Sequence, residues 1–382
     1  MKVQVPPPPS SITDSYVKHE RSSNLELYRI IVMLLIVMHH YVVNSDLVHV
    51  MEQYPTAIKS IYLYITGAWG KTGINCFVLI TGYFMCKSHI TLHKFLKLIL
   101  QMEFYSIIIG SIFLITGYST FSLQGLIDMV NPIGGISRNF SACFIIFFLF
   151  IPFLNACINN ISQRQHLALL SLCVFTYTIL GTDPFINVEF NYITWFSVLY
   201  VIASYIRKYK IPYNDNFRVW AIATMAFIVI SVVSMFIVLY IHSRLNLERP
   251  ITMGFVIFFV SETNKALALA VSICSFMMFK NLPLKHSRVI NTIASCTFGV
   301  LLIHAASRDM RRWLWHDVCN NVGMYYQSSI YIHAIVVPII VFCSCALIDY
   351  VRQKTIEKAL INIVFNIISH NKILTKYLKI NG

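Results

Sequence analysis

Apolar segments about as long as a membrane is thick recur along the chain between residues 25 and 350. A helix needs about 20 predominantly apolar residues to cross the hydrocarbon core of a bilayer, and these segments come close to that length. The sequence therefore predicts an all-α polytopic membrane protein with about ten transmembrane helices. The expected spans are 25–46, 60–86, 96–117, 141–160, 166–181, 190–206, 219–242, 264–280, 290–306 and 328–350.

The composition excludes an ordinary soluble protein. Hydrophobic residues make up 57% of the chain and charged residues 12%, whereas soluble proteins carry about 25% charged residues. The net charge of +14 has a membrane explanation, because Lys and Arg collect in cytoplasmic loops, so we expect no nucleic-acid partner. With the N-terminus in the cytoplasm, roughly twenty basic residues face the cytoplasm and roughly nine the other side, which predicts that both termini are cytoplasmic.

The chain divides into three regions by composition. Residues 1–23 are polar and proline-rich, which favours a disordered cytoplasmic tail rather than a signal peptide. Residues 24–352 form the transmembrane domain, and residues 353–382 form a basic cytoplasmic C-terminal tail. The ten cysteines show no spacing typical of a zinc site or a disulfide framework, so we predict no metal.

Three ionisable residues align inside the first predicted span. Arg29 and His40 are eleven residues apart, close to three helical turns, so both side chains share one stripe about 16 Å long. Glu26 lies one turn below Arg29 on the same side. A full charge near the bilayer centre costs about 2.5–3.5 kcal/mol, so such a stripe needs a reason. The residues alone leave two reasons equally open: catalysis or proton relay, and hydrogen bonding that holds helices together.

Other polar residues lie in or beside later spans. Thr81, Gly82 and Tyr83 end the second span, where a glycine allows close approach of a backbone or a substrate and a packing notch is the default interpretation. His304 ends the run FGVLLIH in span nine, toward the outer side.

Charged residues near the third span are further candidates. Lys94 and Lys97 lie on one face at its cytoplasmic mouth, where they either hold a polyanion or set the topology. Glu103 falls inside the span and must face the bundle interior or a wet cavity, so we expect Arg29 or Lys71 to be its partner. Near the outer face, Glu262 and Lys265 are spaced to form an ion pair at a helix end.

These motifs together resemble the acyltransferase-3 family of integral membrane acyltransferases. The first-span signature of that family has an acidic residue, an Arg three residues on and a His after ten more, and its second span ends in Ser-Gly-Tyr or Ser-Gly-Phe. The similar positions in this chain are Leu25-Glu26-Leu27-Tyr28-Arg29 with His40, GINCFVLITGYF at 73–84, Lys94 with Lys97, Ile151-Pro152-Phe153-Leu154-Asn155, Tyr205-Ile206-Arg207-Lys208-Tyr209, and Phe298-Gly299 with His304.

The resemblance implies an O-acetyltransferase of the bacterial cytoplasmic membrane. Its donor would be cytoplasmic acetyl-CoA, and its acceptor an extracytoplasmic or lipid-linked glycan such as O-antigen, capsule or exopolysaccharide. Carried over by position, His40 would be the essential histidine, Arg29 its partner, and Lys94 and Lys97 the donor-binding pair. Glu26, grouped with the catalytic residues, would join Arg29 in gripping the pantetheine arm of the donor or in shaping the entrance. Thr81, Gly82, Tyr83, Glu103 and His304 would support the site.

The chain departs from the family pattern at several positions. Lysines replace the arginines more usual at 94 and 97, which removes bidentate phosphate recognition. Thr81 replaces serine, and Leu301 replaces the tyrosine usual in span nine. The aromatic pair that many relatives carry at the start of span four is missing in NFSACF. These departures bear on the acceptor more than on the type of reaction.

Two other classes of function compete with the transferase. A transporter or flippase would use Arg29, Glu103 and His40 as a proton path, although such proteins often show inverted repeats, which this sequence lacks. A structural assembly subunit would tolerate Gln or Asn in place of His40. Within the transferase hypothesis, His40 acts as general base or accepts the acyl group itself, and the sequence does not choose between them.

Overall fold

A computed structural model describes residues 22–134, 140–245 and 251–370. These residues are helical or irregular, with no strand among them, which confirms the predicted all-α class. Most of the predicted N-terminal tail and the last lysines of the predicted C-terminal tail lie outside the described residues. The last described helix covers 357–370, within that basic region.

Nine α-helices lie within residues 22–134 and 140–191, the described part of the first half of the chain. A π-helical segment, Val174–Ile179, joins α8 to α9 without a break. The bounds are α1 Ser23–Val43, α2 Leu47–Gln53, α3 Ile58–Gly67, α4 Gly70–Met85, α5 Leu92–Ile115, α6 Leu123–Met129, α7 Phe140–Asn159, α8 Gln163–Cys173 and α9 Leu180–Thr182.

The described residues of the second half, 192–245 and 251–370, form ten more helices. This half also contains a 3₁₀ turn, Phe258–Val260, and a π-helical segment, Trp313–Val318. The bounds are α10 Tyr192–Lys208, α11 Phe217–Arg244, α12 Met253–Val256, α13 Ala266–Lys280, α14 Arg288–Ser295, α15 Thr297–His304, α16 Arg308–Arg312, α17 Asn321–Tyr325, α18 Ile330–Thr355 and α19 Glu357–His370.

Several helices are long and apolar enough to cross a membrane. Among the described residues there are six, namely α1, α5, α7, the α8–α9 unit, α11 and α18, or seven if the helices on either side of a 97° bend after His304 count as one. The second predicted span is two helices, α3 and α4, and α13 is a shorter apolar helix. The chain is thus a multi-pass membrane protein, while the count of ten and the location of the termini stay predictions.

Local signals explain where many helices begin. Polar side chains accept hydrogen bonds from the first free backbone N–H groups, which would otherwise have no partner inside the helix. Thr91 caps α5, Asn191 caps α10, Asn216 caps α11 and Ser287 caps α14. Long apolar helices in lipid gain little from hydrophobic burial, so these polar contacts help to fix the helix ends.

Helix α1 lies in the centre of the bundle. It packs against α3, α4, α13, α14, α15 and α18. Gly70 permits the closest of these approaches, because a Cβ there would lie 2.2 Å from the ring of His39. Arg29 lies near the beginning of α1 and His40 near its end. We call the two ends of the helix bundle that lie beside these residues the Arg29 end and the His40 end.

Candidate functional site

Two histidines form a hydrogen-bonded pair between α1 and α15. Nδ1 of His40 lies 2.8 Å from Nε2 of His304, and the ring centroids are 5.0 Å apart. His304 is fully buried, whereas His40 keeps part of its surface exposed. The sequence placed both residues toward the same side but did not indicate that they touch. The fold brings them together because α1 and α15 pack against each other.

The contacts of His304 fix how the pair shares its protons. Nδ1 of His304 lies 2.6 Å from the carbonyl oxygen of Val300, which only accepts hydrogen bonds. Nδ1 of His304 therefore carries the proton, and Nε2 of its neutral ring is an acceptor. His40 must then donate from Nδ1, which leaves Nε2 of His40 with a free lone pair. In the described part of the chain, no group donates a hydrogen bond to that nitrogen.

A cavity of about 1080 Å³ opens onto His40. Its walls come from the His40 end of the bundle: the last turns of α1 and α5, the first turns of α4, α7 and α10, the short helix α6 and the segment after α15. Residues lining the cavity include His39, His40, Lys71, Glu103, Tyr192, Leu301, Arg308 and Arg311. The volume matches that of large ligand sites, which reach about 1,000 Å³.

Lys71 brings a positive charge to this cavity. Its Nζ lies 3.0 Å from a carboxylate oxygen of Glu262 and 3.0 Å from the hydroxyl of Tyr192. The expectation that Glu103 pairs with Lys71 was therefore wrong, as was the expected pair of Glu262 with Lys265. Lys265 instead donates to the carbonyl of Gly181, 2.7 Å away. Sequence spacing suggested local pairs, but the fold places α4 beside the segment that carries Glu262.

Arg29 and Glu26, one turn apart on the same side of α1, form an ion pair. Nη1 of Arg29 lies 3.0 Å from Oε2 of Glu26, and both side chains are mostly buried. Neither residue lines the cavity as the described residues form it. Phe77 lies between the two sites, because it lines the cavity and its ring centroid is 6.0 Å from the guanidinium carbon of Arg29. His40 and Arg29 thus face separate surroundings on one helix.

The two candidate donor-binding lysines lie at the Arg29 end, where α5 begins. Nζ of Lys94 contacts Ser88 Oγ and the carbonyl of His89, both at 2.8 Å. Lys97 is paired with Glu357 at 2.5 Å, and Glu357 is also 3.0 Å from Arg352. The structure therefore does not bring either lysine to the His40 cavity.

Thr81, Gly82 and Tyr83 also lie outside the cavity. The hydroxyl of Thr81 donates to the carbonyl of Phe77 in its own helix, and Gly82 permits close packing against Tyr200 and Ala203 of α10. The ring of Tyr83 lies 4.5 Å from the guanidinium carbon of Arg207. Nη1 of Arg207 donates a 2.7 Å hydrogen bond to the hydroxyl of Tyr83.

A buried carboxylate beside α15 was missed by the sequence analysis. Asp349 of α18 is fully buried and accepts hydrogen bonds from Tyr105 (2.8 Å), Gln101 (3.3 Å), Arg352 (2.8 Å) and Gln353 (2.7 Å). The sequence held one indication of this carboxylate: Asp349 and Arg352 are an acid and a base three residues apart at the end of the last apolar run.

Among the described residues, no group of three His, Cys, Asp or Glu side chains is placed to hold a metal ion.

The fold and the histidine pair define a class: a multi-pass membrane protein with an imidazole in the wall of a cavity that charged and apolar side chains line. The comparison with known proteins makes this specific. The profile of the acyltransferase-3 family, described as an acyltransferase domain, matches residues 22–349. The chain belongs to that family, as its motifs indicated, and is a membrane acyltransferase. No curated protein and no solved structure gives a significant match to it.

Proposed function

We propose that this protein transfers an acetyl group from cytoplasmic acetyl-CoA to a hydroxyl of an extracytoplasmic or lipid-linked glycan, with His40 as the essential base. The hydrogen bond from His40 to the buried His304 at the cavity carries this proposal. It leaves Nε2 of His40 unprotonated and ready to accept a proton. A neutral imidazole with a free lone pair suits general base catalysis near neutral pH.

In direct transfer, Nε2 of His40 takes the proton of the acceptor hydroxyl while the hydroxyl oxygen attacks the thioester carbonyl carbon. His304 accepts the hydrogen bond from Nδ1 of His40 and so stabilises the imidazolium that forms. The carbon–sulfur bond then breaks, and the leaving thiolate takes the proton back. In a covalent route Nε2 attacks the thioester carbon, and the carbon–sulfur bond breaks to give an acyl-imidazolium and the CoA thiolate. The glycan hydroxyl then attacks the acyl carbon, the carbon–nitrogen bond breaks, and the hydroxyl proton goes to the thiolate.

The donor would enter from the Arg29 end. In this proposal Arg29 and Glu26, which form an ion pair, would hold the pantetheine arm, and Phe77 lies between them and the cavity. Lys94 and Lys97 would meet the phosphates at the cytoplasmic mouth, which requires Lys97 to exchange Glu357 for a phosphate. This arrangement keeps the charged end of the donor in the cytoplasm and moves only the acyl end into the membrane.

The acceptor would occupy the cavity at the His40 end. That cavity has the volume for a saccharide and a lining that mixes charged, hydroxyl and apolar side chains. The distribution of basic residues predicts that the Arg29 end is cytoplasmic. The cavity at the His40 end would then face the outside of a bacterial cytoplasmic membrane. O-antigen, capsule and exopolysaccharide precursors are the expected substrates.

Consumption of acetyl-CoA tests this function. Purified protein in proteoliposomes, given acetyl-CoA labelled in the acetyl group, should move label onto a glycan extract, and H40A should not. Mass spectrometry of surface glycan from cells with and without the gene identifies the acceptor. A flippase or transporter would translocate glycan without consuming the thioester. Full acetylation by a correctly inserted H40A variant would eliminate His40 as the base.

A further inference from the structure

Two arginines of the short helix α16 line the His40 cavity. Arg308 and Arg311 are three residues apart, so they lie on one side of the helix, and both contribute to the wall. Arg308 is exposed and Arg311 is partly buried, whereas the next residue, Arg312, is exposed and does not line the cavity. Both arginines share this cavity with His40, the proposed reactive imidazole.

These two arginines have no carboxylate partner among the residues that the structure describes. Nε of Arg311 donates to the carbonyl of Ser307 at 3.2 Å, which leaves its terminal nitrogens for the cavity. Asp309, between them, receives a short hydrogen bond from Ser119. The other acids lining the cavity are Glu103, on α5, and Asp128, which is held by Gln124 at 2.8 Å.

Among the described residues that line the cavity, the other cation is Lys71, and its charge is already neutralised by its pair with Glu262. Two guanidinium groups three residues apart on one short helix repel each other. An anion between them removes this cost and gains charge-assisted hydrogen bonds. Guanidinium forks match phosphate oxygens in pairs, which makes phosphate the anion they bind best.

We propose that Arg308 and Arg311 bind a phosphate group of the acceptor, and that the acceptor is therefore a lipid diphosphate-linked saccharide. This inference rests on the proposed function and narrows its substrate class. It assigns to α16 the role of holding the phosphate end of the acceptor while a sugar hydroxyl reaches His40. Neutral glycans of the same sugar composition would then be poor acceptors.

Binding of inorganic pyrophosphate tests the site without any reference to catalysis. Purified full-length protein in neutral detergent should gain at least about 2 °C in melting temperature with millimolar pyrophosphate, because a ligand bound only by the folded state stabilises it. The R308Q/R311Q variant should lose this gain, whereas R312Q and H40A should keep it. An absent shift in wild type, or a shift unchanged in R308Q/R311Q, would overturn the inference.

Paired acceptors then identify the source of the phosphate. One synthetic acceptor carries a disaccharide on a prenyl diphosphate, and the other carries the same disaccharide on a neutral prenyl ether. Wild type should show a KM at least about tenfold lower for the diphosphate, and R308Q/R311Q should abolish that preference while KM for acetyl-CoA stays constant. Equal KM values in wild type would show that the anion is not part of the acceptor and would end the proposal.

The same experiment separates this inference from the proposed function. If R308Q/R311Q lowers kcat equally for both acceptors, the arginines act on the transition state rather than on the phosphate, and the inference fails while acetyl transfer stands. If wild type transfers no acetyl group to either acceptor or to any glycan, the function itself fails. The pyrophosphate shift remains interpretable in both cases.

Discussion

The carboxylate of Asp349 occupies the space that a side chain at Gly299 would need. A Cβ built on Gly299 would lie 2.2 Å from Cγ of Asp349 and 2.4 Å from its Oδ1. Gly299 lies on α15, five residues before His304, so this contact fixes the position of the helix that supports the histidine pair. The glycine of the Phe298-Gly299 motif thus has a structural reason: only hydrogen fits against the buried carboxylate.

Replacement of Gly299 by alanine should displace α15 from α18. We expect G299A to destabilise the protein by about 1–3 kcal/mol, the usual cost of overpacking. We also expect it to lower kcat by about 10- to 100-fold, because small displacements of catalytic groups are costly. Thermal unfolding in detergent and acetyl transfer measure the two effects. G254A is the matched control, since a Cβ at Gly254 meets nothing within 4 Å, and equal behaviour of the two variants would contradict this account.

Neutralisation of Asp349 should be among the most destabilising single changes in the described structure. D349N keeps the shape but removes the charge that faces the buried Arg352, and breaking a buried pair typically costs about 3–5 kcal/mol. D215N is the control, because Asp215 forms a 3.5 Å ion pair with Lys280 while 78% exposed, where such pairs contribute below about 1 kcal/mol. Melting temperatures in one detergent compare them. A D349N protein as stable as D215N would show that the cluster does not hold the helices together.

The sequence predicted the helical class, the family and the position of Glu26 one turn from Arg29 on the same side of a helix. These features depend on local pattern: apolar runs of membrane length, and an acid and a base three residues apart on one helix. It did not predict which distant residues meet. The partner of His40 is 264 residues away, and the partner of Lys71 proved to be Glu262. No local rule gives such pairs, because they depend on how helices pack.

The sequence predicted only part of the candidate site, because helix packing decides which residues reach the cavity. His40, Glu103 and His304 line or border one cavity, as expected for ionisable groups that must avoid lipid. Thr81 and Tyr83 were grouped with them by motif, but they lie outside the cavity, with Tyr83 beside Arg207. Whether a residue lines the cavity depends on the side of the helix on which its side chain lies. A span that is apolar on every side does not show from its sequence which side faces the cavity.

The hydrogen bond between the two histidines predicts a graded series at position 304. H304A removes the acceptor for Nδ1 of His40 and should lower kcat by about 10²–10⁴, the range for loss of effective general base catalysis. H304Q should retain more activity, because its amide oxygen can replace Nε2 as acceptor. H166Q is the control, since His166 is also fully buried but bonds to Val201 far from the cavity.

The test is the rank order of kcat in proteoliposomes with saturating acetyl-CoA. Wild type should exceed H304Q, and H304Q should exceed H304A, while H166Q stays close to wild type. Melting temperatures show whether the variants fold, so that a loss of kcat without unfolding points to chemistry. If H304Q and H304A are equally inactive yet folded, His304 does more than accept a hydrogen bond from His40.

The ion pair of Lys97 with Glu357 predicts opposite effects of two changes on the donor. K94A/K97A removes positive charge at the expected entrance for CoA phosphates, so KM for acetyl-CoA should rise about tenfold or more, with kcat little changed. E357Q removes the carboxylate that occupies Lys97 at 2.5 Å, so KM should fall severalfold. K354A is the control, since Lys354 is near the same helix end but contacts the ring of Tyr350 instead. If neither variant changes KM, the two lysines serve only to orient the chain in the membrane, and the donor phosphates bind elsewhere.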